Sequence, residues 1–193
     1  ITLPELEGFR EALLQIAVPV DLDVSDAIDV VGTGGDGKNT INISTLASFV
    51  IAGTGQKVIK HGNYGASTIT GASNLLEELG YQFKISSEEL NDDLQKTNIC
   101  FLHAPHFHPA LKSVVSLRKS LGLRTFFNLL GPLVNPAKPK YSMIGTYNLE
   151  IARIYQYLLQ KDEKDFVLVH GMDGYDEISL TQDSKIITKE MVG

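Results

Sequence analysis

The chain has 193 residues, with 17 Lys+Arg against 23 Asp+Glu and a formal net charge of −6. Its 43% hydrophobic and 21% charged residues describe a globular chain able to bury a core, which excludes a disordered or fibrous protein. No apolar run exceeds four residues, so a membrane helix of roughly 20 is excluded, and the acidic balance argues against a general nucleic-acid binder. The single cysteine, Cys100, leaves an internal disulfide without a second sulfur, so a cytoplasmic setting is expected.

In chain order, Thr2 and Glu5 form a capping-box signature ahead of Leu6, Phe9, Leu13 and Ile16, whose spacing predicts an amphipathic helix ending near Pro19. Strands are predicted at Ala27–Val31, Lys57–Lys60, Ile99–His103, Tyr141–Gly145 and Phe166–His170. Helices are predicted between them at Asn42–Ala52, at Ser73–Leu79 with Gly80 as its stop, at Pro109–Leu121 and at Leu149–Leu159. This alternation predicts an α/β fold with a mostly parallel sheet flanked by helices; the strand ending near His170 is the last one predicted, and with no further strand to cover it an exposed edge is expected there.

The glycine clusters follow predicted strands, where ligands of such sheets bind. Gly32-Thr33-Gly34-Gly35-Asp36-Gly37 comes directly after the first strand, with Thr40, Asn42, Ser44 and Thr45 at a helix start. Glycines admit close approach and a helix N-terminus favours an anion, so the loop suits a phosphate; it equally suits a tight turn whose hydroxyls cap the helix. It matches neither the Walker loop nor the dinucleotide fingerprint. Lys60, His61 and Asn63 end the second strand beside Gly62 and Gly65, either as a second anion-facing loop or as a surface charge and a satisfied imidazole. His103, His106 and His108 crowd six residues, but zinc would need a further Cys or carboxylate, which the stretch lacks. Arg118 is placed either to face solvent or to reach a ligand carboxylate bidentately. Asp176-Glu177, after Gly171 and Gly174, suit a hard cation such as Mg²⁺ or a solvated acidic turn.

Taken in order, Gly32-Thr33-Gly34-Gly35-Asp36, Asn42-Ile43-Ser44-Thr45, Lys60-His61-Gly62-Asn63, His108-Pro109-Ala110, Arg124-Thr125, Asn128 to Pro132, His170-Gly171 and Asp176-Glu177 resemble the anthranilate phosphoribosyltransferase family over nearly the whole chain. The resemblance implies transfer of the phosphoribosyl group from phosphoribosyl pyrophosphate to the amine of anthranilate, in tryptophan biosynthesis. It implies phosphoribosyl pyrophosphate binding by Gly32, Gly35, Asp36, Thr40, Asn42, Ile43, Ser44, Thr45, Lys60, Ser67 and Thr68. Anthranilate would be held by Gly32, Asn63 and Arg118, and Mg²⁺ by Ser44, Asp176 and Glu177. It also implies that residues 1–20 end a small helical domain, that residues 21–193 belong to a large α/β domain whose C-terminal part is missing, and that the parent is a homodimer. Tyr64-Gly65 stand where the family has Arg-Ala, and Ala72 where it has Ser. A pyrimidine nucleoside phosphorylase and a non-catalytic nucleic-acid-binding paralogue are the rival expectations.

Overall fold

The computed structural model describes residues 1–38, 40–65, 70–112 and 125–192. Its centre is a six-stranded sheet of order β3-β2-β1-β4-β5-β6. The strands are β1 (Ala27–Gly32), β2 (Lys57–Gly62), β3 (Ile99–His103), β4 (Tyr141–Gly145), β5 (Asp165–Gly171) and β6 (Ser184–Thr188). The first five run parallel, and β6 returns antiparallel along β5. The mostly parallel α/β sheet expected from the alternation is therefore present. All of β3 is buried, as expected of a parallel strand whose two faces are both covered.

The expectation that the strand ending near His170 forms the edge is corrected by β6, which pairs Ser184 with Gly171 and Thr188 with Val167. Lys185 and Ile186 of β6 are exposed, and a half-buried edge strand carrying a charge gives little apolar signal.

The helices are α1 (Leu3–Gln15), α2 (Ile43–Gly53), α3 (Ala72–Glu78), α4 (Ser87–Thr97), α5 (Ala104–Phe107), α6 (Phe127–Leu130) and α7 (Leu149–Leu159). No helix among the described residues is long and apolar enough to cross a membrane. The capping box of α1 forms: the Thr2 N–H donates to Glu5 Oε2 at 2.8 Å and the Glu5 N–H to Thr2 Oγ1 at 3.4 Å. The helix stops at Gln15 rather than near Pro19. Pro19 disfavours a helical Val18, whose N–H instead donates to the Phe107 carbonyl at 2.8 Å. Leu6 and Leu13 pack in one cluster with Leu130, Ile144, Tyr155 and Leu158, so α1 is seated on the core of the α/β unit.

Alternate strand residues serve opposite faces of the sheet. On one face Leu90 and Leu94 of α4 cluster with Ile59, Cys100 and Leu102; on the other Ala52 of α2 and Leu76 of α3 cluster with Val58 and Phe101. The helix expected over Pro109–Leu121 begins with a single 3₁₀ turn, Pro109–Leu111, and residues 113–124 lie outside the described residues.

The chain steps from β1 to β2 on one side, while β4 and β5 extend the sheet on the other. The direction of growth thus reverses between β1 and β4, and a crevice opens outside the carboxyl ends of two such strands.

Candidate functional site

β1 and β4 end in register on Gly32 and Gly145. Asp176, from the segment between β5 and β6, occupies the space that their missing side chains leave: a Cβ at Gly32 would collide with its Oδ2, and a Cβ at Gly145 with its backbone oxygen. The same carboxylate accepts the Gly34 N–H at 2.7 Å, and Thr40 Oγ1 donates to Glu177 Oε1 at 3.4 Å. The loop after β1 and the acidic segment therefore meet over the point where the sheet reverses. Gly34 and Gly37 hold φ of +61° and +72°, a backbone region costly for other residues. Several loop amides serve the protein itself, since Thr33 N–H donates to the Gly145 carbonyl at 2.9 Å and Lys38 N–H to Asp36 Oδ1 at 3.1 Å.

These segments wall a cavity of about 700 Å³. It brings together Gly32, Asp36, Thr40, Asn42, Ile43, Ser44, Lys60, Asn63, Asp176 and Glu177 of the residues singled out from the sequence. Gly35 instead lines a neighbouring cavity of about 320 Å³ with Gly34, Thr125 and Asn128. Thr45 is fully buried at the start of α2, its N–H given to Asn42 Oδ1 at 3.1 Å. Asn42 is the N-cap of α2, so the cap is made by its amide oxygen rather than by the Ser and Thr hydroxyls considered from the sequence. Ser67, Thr68, Arg118 and Arg124 lie outside the described residues.

Lys60 is 2% exposed; its Nζ donates to the Val30 carbonyl and to Ser44 Oγ, the latter at 3.4 Å. Burial pulls its pKa down to about 8, with Asp29 opposing. The surface-charge alternative for Lys60 is thereby corrected, because this ammonium sits inside the protein. Asp29, also buried, accepts the Asn135 amide at 2.9 Å and the His61 N–H at 3.3 Å, fixing β2 beside β1. Burial pushes its carboxyl up, with Lys60 opposing.

His61 Nδ1 faces the Gly131 carbonyl at 3.3 Å. A carbonyl only accepts, so Nδ1 carries the proton and Nε2 keeps its lone pair, buried and without a partner among the described residues. Burial, then the neighbouring His108, pushes this imidazole down to about 3, so it is neutral at physiological pH. His103 Nδ1 bonds Ser73 Oγ at 2.8 Å and His108 Nε2 bonds the Val134 carbonyl at 2.8 Å. Two members of the histidine cluster are thus committed to protein partners, and among the described residues no three His, Cys, Asp or Glu side chains converge on one point as a metal site.

Burial raises the pKa of Asp176, with the Gly34 N–H opposing and Asp36 adding to the rise. Glu177 is raised by burial, then by Asp176 and Asp36. The cavity therefore holds like charges at a cost that bound cations would relieve.

Sequence reasoning passes over Gly145, Lys38 and Tyr64 as site residues. Gly145 ends a predicted strand like any turn glycine and gains meaning only from the Asp176 backbone packed on it. Lys38 directly follows the glycine-rich run and also lines the cavity. Tyr64 lines it too, its hydroxyl donating to Glu77 at 2.6 Å and its ring set edge-on to His103, centroids 5.0 Å apart.

Residues 24–192 match the model of a glycosyl transferase family, a/b domain. Among curated proteins, the anthranilate phosphoribosyltransferase of Flavobacterium psychrophilum is 55% identical over 193 residues, covering 100% of this chain and 58% of that protein. The enzyme of the same name from Bacteroides fragilis is 55% identical over 188 residues, covering 97% and 57%. This chain thus spans under three fifths of the length of these curated relatives. Among solved structures, anthranilate phosphoribosyltransferase from Thermus thermophilus superposes with a TM-score of 0.88 at 36% identity, covering 97% of this chain and 56% of that one. The Saccharomyces cerevisiae enzyme in complex with PRPP and Mg gives 0.87 at 33%, covering 97% and 55%. With its family match running from before β1 to beyond β6, the chain belongs to the glycosyl transferase family and carries that family's α/β domain.

Proposed function

We propose that this chain forms the substrate-binding core of an anthranilate phosphoribosyltransferase of tryptophan biosynthesis. The observation that carries the reading is the placement of Asp176 at the reversal point of the sheet, over Gly32 and bonded to Gly34 at 2.7 Å, which joins a phosphate-type loop to a half-buried acidic pair in one cavity. In this reading Gly32, Asp36, Thr40, Asn42, Ile43, Ser44 and Lys60 hold phosphoribosyl pyrophosphate, with Ser67 and Thr68 assigned to it by the family resemblance. Gly35 supports the loop from the neighbouring cavity, and Thr45 supports the α2 N-terminus from beneath. Gly32, Asn63 and Arg118 receive anthranilate.

The donor set fits Mg²⁺: Asp176, Glu177 and the Ser44 hydroxyl are hard oxygen ligands lining one cavity, and the carboxyls there are raised by burial and mutual repulsion. When bound, Mg²⁺ supplies positive charge to the departing diphosphate. The chain's own work is positioning and charge. Lys60 offers a desolvated ammonium, whose attraction to a phosphate is strengthened by burial. The aromatic amine of anthranilate is unprotonated at neutral pH and displaces diphosphate from C1 of the ribose, its excess proton passing to solvent. No general base is assigned, and holding the two reactants in line supplies much of the rate.

Residues 1–20 are read as the end of a helical domain and 21–193 as the large α/β domain, a division supported by the family match beginning at residue 24. The parent is read as a cytoplasmic homodimer, supported by the exposed Leu3, Phe9 and Ile16 of the α1 region and by the unpaired, buried Cys100. The test is to mix the parent protein with anthranilate, phosphoribosyl pyrophosphate and Mg²⁺ and follow anthranilate fluorescence. Loss of fluorescence that needs all three components is expected; none at high protein concentration would overturn the reading.

A further inference from the structure

Five charged side chains line the cavity among the described residues: Asp36, Asp176 and Glu177 against Lys38 and Lys60. The two cations are placed differently. Lys60 is 2% exposed and already donates to Val30 and Ser44. Lys38 is half-buried between the exposed Gly37 and Thr40, at the rim, and its Nζ stands over the Tyr175 ring, 4.6 Å from the centroid. Its backbone is pinned by the bond to Asp36 Oδ1, so the loop fixes where its flexible stem begins.

We propose that Lys38 is a second ligand-facing cation of this cavity, parked on Tyr175 at the rim and transferred to a phosphate oxygen when a diphosphate enters. The inference rests on the phosphoribosyl pyrophosphate reading above and adds to it a binding residue on the glycine-rich loop. An ammonium over an aromatic face at a partly solvated site is weakly held, whereas its charge-assisted hydrogen bond to phosphate is among the stronger polar contacts. The anion therefore draws Lys38 off the ring. A lysine stem, with four carbons and three rotatable donors, makes that move without displacing the loop. Lys38 also meets an electrostatic need, because the lining carboxylates outnumber the lining cations before a multiply charged anion enters. Tyr175 stands directly before Asp176, so the ring that parks Lys38 belongs to the segment carrying the acidic pair.

The test is calorimetric titration of the whole chain with inorganic pyrophosphate in the presence of Mg²⁺, comparing wild type with Lys38→Met, Lys38→Arg, Tyr175→Leu and the Lys38→Met/Tyr175→Leu double variant. Lys38→Met is expected to weaken binding about tenfold or more, to flatten the salt dependence and to leave the melting temperature unchanged. Lys38→Arg is expected to restore most of the affinity. Tyr175→Leu is expected to change affinity in the wild-type background and to have no further effect in the Lys38→Met background. Wild-type affinity and salt dependence in Lys38→Met, or an undiminished Tyr175→Leu effect in that background, would overturn the inference while leaving the proposed function standing. A wild-type chain that binds no pyrophosphate would overturn both.

Discussion

Asp176 is the residue on which the site turns, because it fills the gap over Gly32 and Gly145 and ties down the Gly34 amide. Asp176→Asn with Glu177→Gln keeps the volume and removes two charges. Mg²⁺-dependent binding of phosphoribosyl pyrophosphate is expected to disappear, checked by calorimetry with and without the metal. The same variant is expected to melt no lower than the parent at pH 7, since burying these carboxylates is unfavourable and both are pushed up in pKa. A large fall in melting temperature would show that the pair is structural. Lys60 gives a prediction with a sign that can be worked out. Its pKa of about 8 lies below the ordinary 10.5, so the charge that attracts an anion is present below about 8 and lost above it. Affinity for pyrophosphate should therefore fall as pH rises through about 8. The unfolded chain holds its proton up to about 10.5, so this group makes the fold more stable between those values; lost affinity there, with melting temperature maintained, would separate titration from unfolding.

At the scale of elements, α4 is held by two leucines and a cap. Ser86 Oγ accepts the Glu89 N–H at 3.3 Å, and Leu90 and Leu94 are the buried residues on an otherwise polar helix. Ser86→Ala should cost about 1 kcal/mol and Leu90→Ala about 2–5 kcal/mol, read from denaturant midpoints. Leu90→Ala costing less than Ser86→Ala would mean that the contact with Ile59 and Leu102 is not what fixes the helix. This element also shows what can be read in advance. Thr2 with Glu5, the glycine-rich run and the apolar strands β1 to β5 announce themselves through local chemistry, and the structure realises each of them. α4 escapes a reading by pattern because two apolar residues four apart make a weak stripe, although Ser86 and Glu89 carry the same capping signature as Thr2 and Glu5. β6 escapes because its pairing with β5 is a tertiary fact, and α5 and α6 are single turns set by their neighbours. The site is legible as three separate segments; that Gly34, Thr40, Asp176 and Glu177 touch follows from the strand order, which no local pattern encodes.

For the molecule as a whole, the balance of buried titratable groups sets the response to acid. His61 and His103 are held down to about 3 and about 4 by burial, against an ordinary 6.5, so the unfolded chain takes up protons first as pH falls. Their share of stability is complete above about 6.5 and is lost toward 3–4. Asp29, Asp176 and Glu177 act in the opposite sense, since their raised values let the fold bind protons before the unfolded chain does. In Asp176→Asn/Glu177→Gln that compensation is reduced, so stability should fall more steeply between pH 6.5 and 4 than in the parent, checked by thermal melts across the range. An identical slope would remove the two carboxyls from the balance. The site itself is tested most directly by titrating the chain with phosphoribosyl pyrophosphate, with and without Mg²⁺, in a calorimeter. Saturable one-to-one binding that strengthens when Mg²⁺ is present is expected; no binding, or the same affinity without the metal, would contradict the assignment of the cavity.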